Sequence, residues 1–247
     1  MLHRHTPVHA LEPHVKIVAM VSFIVVGVVT PITWWPAFVA YGILVLSVIA
    51  LAQLPARVVF SRALIEVPFV LFAVLMPIFG RGERVDVLWF SLSKVGLESG
   101  GSIVAKGTLG VLCAVTLSAT TSAREILRGL ERLRMPSLLV QIISFMIRYV
   151  NVVSDEMARM AVARASRGFE ATGVKSWRFL GQVAGALFIR SYERGERVYL
   201  AMLSRGYTGT LPDTGHDPAS VRQWVQGMVF PVVALILLML TSLWVGR

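Results

Sequence analysis

Pro36-Ala-Phe-Val-Ala-Tyr-Gly-Ile-Leu-Val-Leu-Ser-Val-Ile-Ala-Leu-Ala-Gln-Leu54 contains no charged residue. A helix rises 1.5 Å per residue, so about 20 apolar residues cross the hydrocarbon of a bilayer. This stretch has that length, and Pro36 is well placed to start a helix. Read outward from it, the chain offers four more segments of the same kind: Val15–Thr33, Ala63–Phe79, Ser102–Thr121 and Val225–Val245. The composition agrees. Of 247 residues, 55% are hydrophobic and 15% charged, with mean hydropathy +0.70, too little polar surface to cover a soluble core. The sequence therefore predicts an all-α integral membrane protein with about five transmembrane helices. A net charge of +10 fits the enrichment of Lys and Arg in cytoplasmic loops, and no nucleic-acid partner is implied. Cys113 stands alone in an apolar run, which excludes an internal disulfide and suits a small hydrophobic role. No removable signal peptide is expected, because Pro36 opens a second apolar run straight after the first.

Loop charges predict the orientation. Arg4 and Lys16 precede or begin the first span, and Arg57 and Arg62 follow the second. The turn between them carries Trp34 and Trp35, interfacial residues, and no charge. From Gly80 to Gly101 the charges balance, Arg81, Arg84 and Lys94 against Glu83, Asp86 and Glu98. The N-terminus is thus expected in the cytoplasm and the C-terminus outside. The expected division is a membrane domain over 1–121, with spans at about 15–33, 36–54, 63–79 and 102–121, a cytoplasmic domain over 122–222, and a last transmembrane helix in 223–247.

Residues 122–222 carry 15 of the 24 Lys and Arg. Ser137, Gln141, Ser144, Arg148, Asn151 and Asp155 are spaced three and four apart, a narrow polar stripe on an otherwise apolar helix. Such a helix packs under the membrane body or against its neighbours. Phe179–Ile189 repeats the pattern, Pro136 and Gly173 mark breaks, and Tyr207 to Ser220 reads as a loop.

Within this region two segments match at an offset of 38 residues. Arg159-Met-Ala-Val-Ala163-Arg-Ala-Ser166-Arg167-Gly168-Phe169 aligns with Arg197-Val-Tyr-Leu-Ala201-Met-Leu-Ser204-Arg205-Gly206-Tyr207, identical at five of eleven positions. Gly favours the left-handed turn that ends a helix, and Arg suits the negative end of the helix dipole. A single Ser-Arg-Gly is most simply a helix C-cap. Two in register, sharing Arg and Ala well upstream, point instead to two docking tips for a paired partner.

Paired motifs ending in Arg-Gly on two cytoplasmic helices resemble those of the transmembrane T components of energy-coupling factor (ECF) transporters. That family usually carries Ala-Arg-Gly; here Ser replaces Ala twice. Leu11-Glu12-Pro13-His14-Val15-Lys16, Arg148-Tyr149 with Asp155-Glu156, and Arg190-Ser-Tyr-Glu-Arg194 leading into Ala201-Met202 look like the cobalt-type branch. Glu12 and His14 depart from the usual Leu-Asp-Pro-Arg. The resemblance implies a coupling subunit for ATP-driven uptake of cobalt, in the service of cobalamin biosynthesis, in a bacterial or archaeal cell membrane. It implies docking through Ser166, Arg167, Gly168, Ser204, Arg205 and Gly206, with Arg159, Ala163, Arg197 and Ala201 supporting the two coupling helices. The implied partners are two cytosolic ATPase subunits, which would hold ATP and Mg, and a substrate-binding membrane S component, with a small accessory membrane subunit as a further candidate. This chain would bind no cofactor and catalyse nothing. It has no phosphate-binding loop: Gly101-Ser-Ile-Val-Ala-Lys106-Gly107-Thr108 has Lys and Gly in the wrong order at the start of a span.

Other signals read more plainly. His3, His5, His9 and His14 invite a metal relay, but Pro7, Pro13 and the terminal position favour a mobile basic tail. Glu66 is expected near one end of its span, at the interface, with Lys106 snorkelling likewise. Asp155/Arg159 and Glu193/Arg197 are spaced to brace helices. Arg124, Arg128, Arg132 and Arg134 suit lipid headgroups. His216 between Asp213 and Asp217 reads as a turn cluster. A stand-alone secondary transporter or channel would need polar or broken midplane helices, and an intramembrane enzyme would need convergent acids, His or a nucleophile.

Overall fold

The computed structural model describes residues 6–79, 84–87, 90–168, 175–209 and 219–245. The elements run α1 (Pro7–Ala10), α2 (Pro13–Val29), α3 (Trp35–Leu51), α4 (Ala56–Ala63), a 3₁₀ turn (Leu64–Glu66), α5 (Val67–Phe79), β1 (Arg84–Val87), β2 (Phe90–Ser93), α6 (Lys94–Thr120), α7 (Ala123–Arg132), α8 (Ser137–Ala165), α9 (Lys175–Leu203) and α10 (Val221–Val245). It is an all-α membrane protein with one small antiparallel hairpin, in which Arg84 faces Ser93 and Val87 faces Phe90. The chain forms two compact units, Met1–Gly129 with Asp217–Arg247, and Leu130–His216.

In the first unit α2, α3, α6 and α10 surround a core of Phe23, Tyr41, Val45, Leu109, Cys113 and Ala234. Phe23 stacks on Phe230 at 4.3 Å and meets Tyr41 edge-on at 5.8 Å. The Tyr41 hydroxyl donates to the Ala234 carbonyl at 3.3 Å and lies 3.2 Å from the Thr30 hydroxyl, so the most buried phenol keeps its polar tip satisfied. α3 stops where Gln53 takes φ 52°, allowing the Leu54 N–H to reach the Ile49 carbonyl, and Pro55 follows.

The third expected span differs in extent. Helical backbone begins at Ala56 rather than Ala63, and Ala56–Phe79 forms a 24-residue segment broken by the 3₁₀ turn just before Pro68. Glu66 therefore lies at the middle of the segment, not at its end, and only 6% of it is exposed. Its carboxylate accepts a hydrogen bond from the Thr108 hydroxyl at 2.9 Å, and a Cβ at Gly107 would stand 2.8 Å from the same oxygen. The carboxylate is thus buried against α6.

α6 also starts earlier than residue 102, at Lys94, where the Ser93 hydroxyl caps it by accepting from the Gly96 N–H at 3.3 Å. Gly101–Thr108 thus lies inside the helix rather than at its start. Gly96 and Gly100 face α5 so closely that a Cβ would stand 2.7 Å from the Met76 carbonyl oxygen and 2.5 Å from that of Ala73. Lys106 reaches along the bundle to the end of a neighbouring helix. Its ammonium donates to the Val28 carbonyl at 2.7 Å and caps the C-terminal end of α2.

α7 begins with a capping box: the Glu125 N–H donates to Ser122 Oγ, and the Ser122 N–H to Glu125 Oε2. Those bonds, the backbone one foremost, hold the Glu125 carboxyl below its ordinary pKa. Lys16, 4% exposed, donates to the carbonyls of His9 and Thr120 and to the Thr121 hydroxyl, tying α2 to the end of α6.

By length and hydropathy Ala56–Phe79, Lys94–Thr120, Ser137–Ala165 and Val221–Leu243 can each cross a membrane, while α2 and α3 are apolar but only 17 residues long. α8 reaches this length because its apolar N-terminal half continues without a break into a polar C-terminal half.

Candidate functional site

The second unit holds both halves of the internal repeat, each on the last turns of a 29-residue helix. The local geometry repeats as the sequence does. At the end of α8 the Ser166 N–H bonds the Val162 carbonyl, Arg167 bonds Arg164, and Gly168 bonds Ala165, each at 3.0 Å. At the end of α9 the Ser204 N–H bonds the Leu200 carbonyl, Arg205 bonds Met202, and Gly206 bonds Leu203, again at 3.0 Å. The Ser166 hydroxyl donates to the Ala163 carbonyl at 3.0 Å, and the Ser204 hydroxyl to Ala201 at 2.9 Å. These short back-bonds explain why Ser and Ala recur together: each Ser fastens the last turn and leaves the next residue to point away.

Gly168 and Gly206 take φ +68° and +83°. Neither has an atom within 4 Å of where a Cβ would stand, so the positive φ, and not crowding, is what calls for glycine. After Gly206 the Tyr207 N–H reaches back to the Met202 carbonyl at 3.0 Å, completing a Schellman closure. Phe169, its counterpart, lies outside the described residues. Arg167 and Arg205 are exposed and engage no other described side chain.

The supporting residues diverge. Arg159 pairs with Glu156 at 2.7 Å, one turn before it, and not with Asp155 as its spacing suggested. Arg197 is exposed, and the expected Glu193–Arg197 brace does not form. Glu156 also receives Arg190 from α9. The hydrogen bond from Arg159, then that from Arg190, hold the Glu156 carboxyl below its ordinary pKa, so it is charged at neutral pH. In the sequence Glu156 stands out only within the Asp155-Glu156 pair. A carboxylate facing two arginines from different helices has no periodic signature.

A second polar tie joins the helices. Gln141, 6% exposed, accepts from the Tyr207 hydroxyl and donates to the Gly209 carbonyl at 3.0 Å. The aromatic residue after the second glycine is therefore held beside the start of α8, while the first tip lies at that helix's other end. From Gln141 to Ser166 the helix is continuous, so about 37 Å of axis separates the two tips.

Among the described residues no three His, Cys, Asp or Glu side chains converge to hold a metal ion. His9 lies within hydrogen-bond distance of Thr6, and His14 packs edge-on against Trp224 at 5.6 Å, so the N-terminal segment is built into the first unit from Thr6 onward. His3, His5, Gly173, Asp213, His216 and Asp217 lie outside the described residues. Arg124 and Arg128 are exposed on α7, whose Gly129 packs against Pro13, His14 and Ile17.

Comparison with known proteins matches residues 4–216 to the family described as CbiQ, cobalt transport protein. The ECF transporter transmembrane protein EcfT of Thermanaerovibrio acidaminovorans is 28% identical over 89% of this chain and 87% of its own length. The cobalt transport protein CbiQ of Rhodobacter capsulatus is 28% identical over 59% of each chain. A fused cobalt transport protein, CbiMQ, of Methanocorpusculum labreanum is 26% identical over 83% of this chain, which spans only 36% of that longer protein.

Proposed function

This chain belongs to the CbiQ cobalt transport family, the cobalt-type T components of ECF transporters, and from that premise we propose that it couples two cytosolic ATPase subunits to a cobalt-carrying membrane subunit. It is a multi-pass membrane protein and the membrane component of a multi-subunit transporter. The observation that carries the finer reading is the pair of like-built helix ends. Ser166-Arg167-Gly168 and Ser204-Arg205-Gly206 each present an exposed guanidinium on a turn closed by a left-handed glycine. Arg offers a rigid, planar set of donors for carboxylates or carbonyls in a partner's groove, and its charge persists at any physiological pH. Two such tips fit a partner with two equivalent grooves, which a pair of ATPase subunits would supply. ATP and Mg belong to those subunits.

A membrane S component is the second partner, and the added length of the fused CbiMQ relative supports a cobalt-handling chain working beside this one. In this reading the second unit faces the cytosol, the N-terminus is inside and the C-terminus outside. ATP-driven motion of the ATPases moves the tips, and α8 and α9 pass that motion to the membrane body.

One feature favours a self-sufficient transporter: a broken span with Glu66 at its middle. Thr108 hydrogen-bonds that carboxylate, and among the described residues no cluster of His, Cys, Asp or Glu includes it to hold an ion. The deciding experiment is co-purification with the ATPase subunits. Arg167→Glu with Arg205→Glu is expected to lower ATPase recovery at least tenfold while the chain stays in the membrane. Full recovery, or cobalt uptake by the chain alone in liposomes, overturns the proposal.

A further inference from the structure

We propose that Glu156 is the positioning residue of the docking unit, setting how far apart and at what angle the two arginine tips stand. The inference rests on the docking reading but concerns a residue outside the Ser-Arg-Gly motifs.

α8 and α9 are long, and they meet over only a short stretch. Apolar contact between such helices is non-directional and leaves them free to roll or slide. Slipping by one turn would displace a tip by about 5.4 Å, enough to miss a groove that fits one guanidinium. Something directional must fix the register, and the described residues show two ties: Glu156 with Arg190, and Gln141 with Tyr207 and Gly209.

The two ties differ in what they hold. Gln141 holds the segment that leaves the second tip, beyond the last turn of α9. Glu156 reaches α9 within its helical body, thirteen residues before its end, and so governs the helix itself. The Glu156 side chain is only 14% exposed, against 58% for Arg190 and 65% for Arg159. A sheltered carboxylate receiving two guanidiniums from two elements is held from two directions, which a single surface pair is not. Asp155 is exposed beside it and makes no such bond. Losing Glu156 would leave Arg159 and Arg190 facing each other without a counter-charge, and the helices would part.

The test measures tip separation directly, in the full chain in lipid nanodiscs without ATPases. Nitroxide labels go on Ala165→Cys and Leu203→Cys, the last residues of α8 and α9, in a Cys113→Ala background. The unaltered pair should give one narrow distance band between about 30 and 40 Å. Glu156→Gln and Arg190→Gln should each broaden it at least twofold, and Glu156→Lys with Arg190→Glu should restore it. An unchanged band in the single variants overturns the proposal, as does a broadened band that the charge swap fails to recover. With partners added, ATPase recovery and cobalt uptake should both fall at least fivefold in Glu156→Gln, and both should recover in the swap. If the arginine-tip variants still bind ATPases in full, the docking reading fails, yet the label distances still report on Glu156.

Discussion

Arg167 and Arg205 owe their exposure to the residue that follows each. A left-handed residue at the end of a helix turns the chain away from the axis, and a β-branched side chain resists that conformation. Gly168→Val meets no steric obstacle, so its cost is confined to the turn itself, about 1–2 kcal/mol. The expected outcome is near-normal protein in the membrane with cobalt uptake reduced at least fivefold. Gly168→Ala should fall between Val and the natural residue. Equal uptake in all three would show that the shape of this turn is irrelevant to coupling. The protein tolerates the same conformation at Gln53 and Arg134, both non-glycine and both helix ends. Glycine is thus not obligatory for stopping a helix here. Its presence at both tips is the finer signal.

At the scale of elements, the α5–α6 seam is a close backbone contact of the membrane body. Gly96 and Gly100 let the helices approach backbone to backbone, and a methyl at Gly100 would collide with the Ala73 carbonyl. Gly100→Ala should force the pair apart and destabilise the protein by about 1–3 kcal/mol, read as a lower melting temperature in detergent. Unchanged melting would mean the seam can yield without cost. Much of this level was legible in the sequence. The charge-free run at 36–54 maps onto α3, the polar stripe from Ser137 onto α8, and the repeat onto two helix ends with matching hydrogen bonds. What escaped had non-local causes. Glu66 looked terminal because hydropathy fell away before it, whereas the helix continues back to Ala56 through a short amphipathic piece. The hairpin at 84–93 was hidden in a charge-balanced loop too short to show alternation. Arg159 pairs with Glu156, three residues back, rather than with Asp155, and Arg190 from another helix is a partner that no spacing rule can anticipate.

For the whole molecule, the proposed orientation rests on loop charge and is open to direct test. In a chain whose one native thiol is 2% exposed, introduced cysteines should be the main sites of labelling. A cysteine at Trp35, 69% exposed at the first residue of α3, should react with an impermeant maleimide in intact cells. Cysteines at Ala165 and Leu203 should react only in inside-out vesicles. Labelling of either from the outside of cells would reverse the topology and remove the ATPases from reach.

The Glu66–Thr108 hydrogen bond also bears on how the protein is made. A carboxylate in a segment that enters lipid by itself costs up to roughly 2.5–3.5 kcal/mol, the figure at mid-bilayer. Its hydroxyl partner is synthesised 42 residues later, so the Ala56–Phe79 hairpin arm reaches the translocon before anything can shield its acid. Lateral release of that segment into lipid is therefore best deferred until α6 emerges, and the two leave as a preassembled pair. Nascent chains arrested before Thr108 would retain α5 beside the insertion channel, exposed to the proteases that clear unfinished membrane proteins.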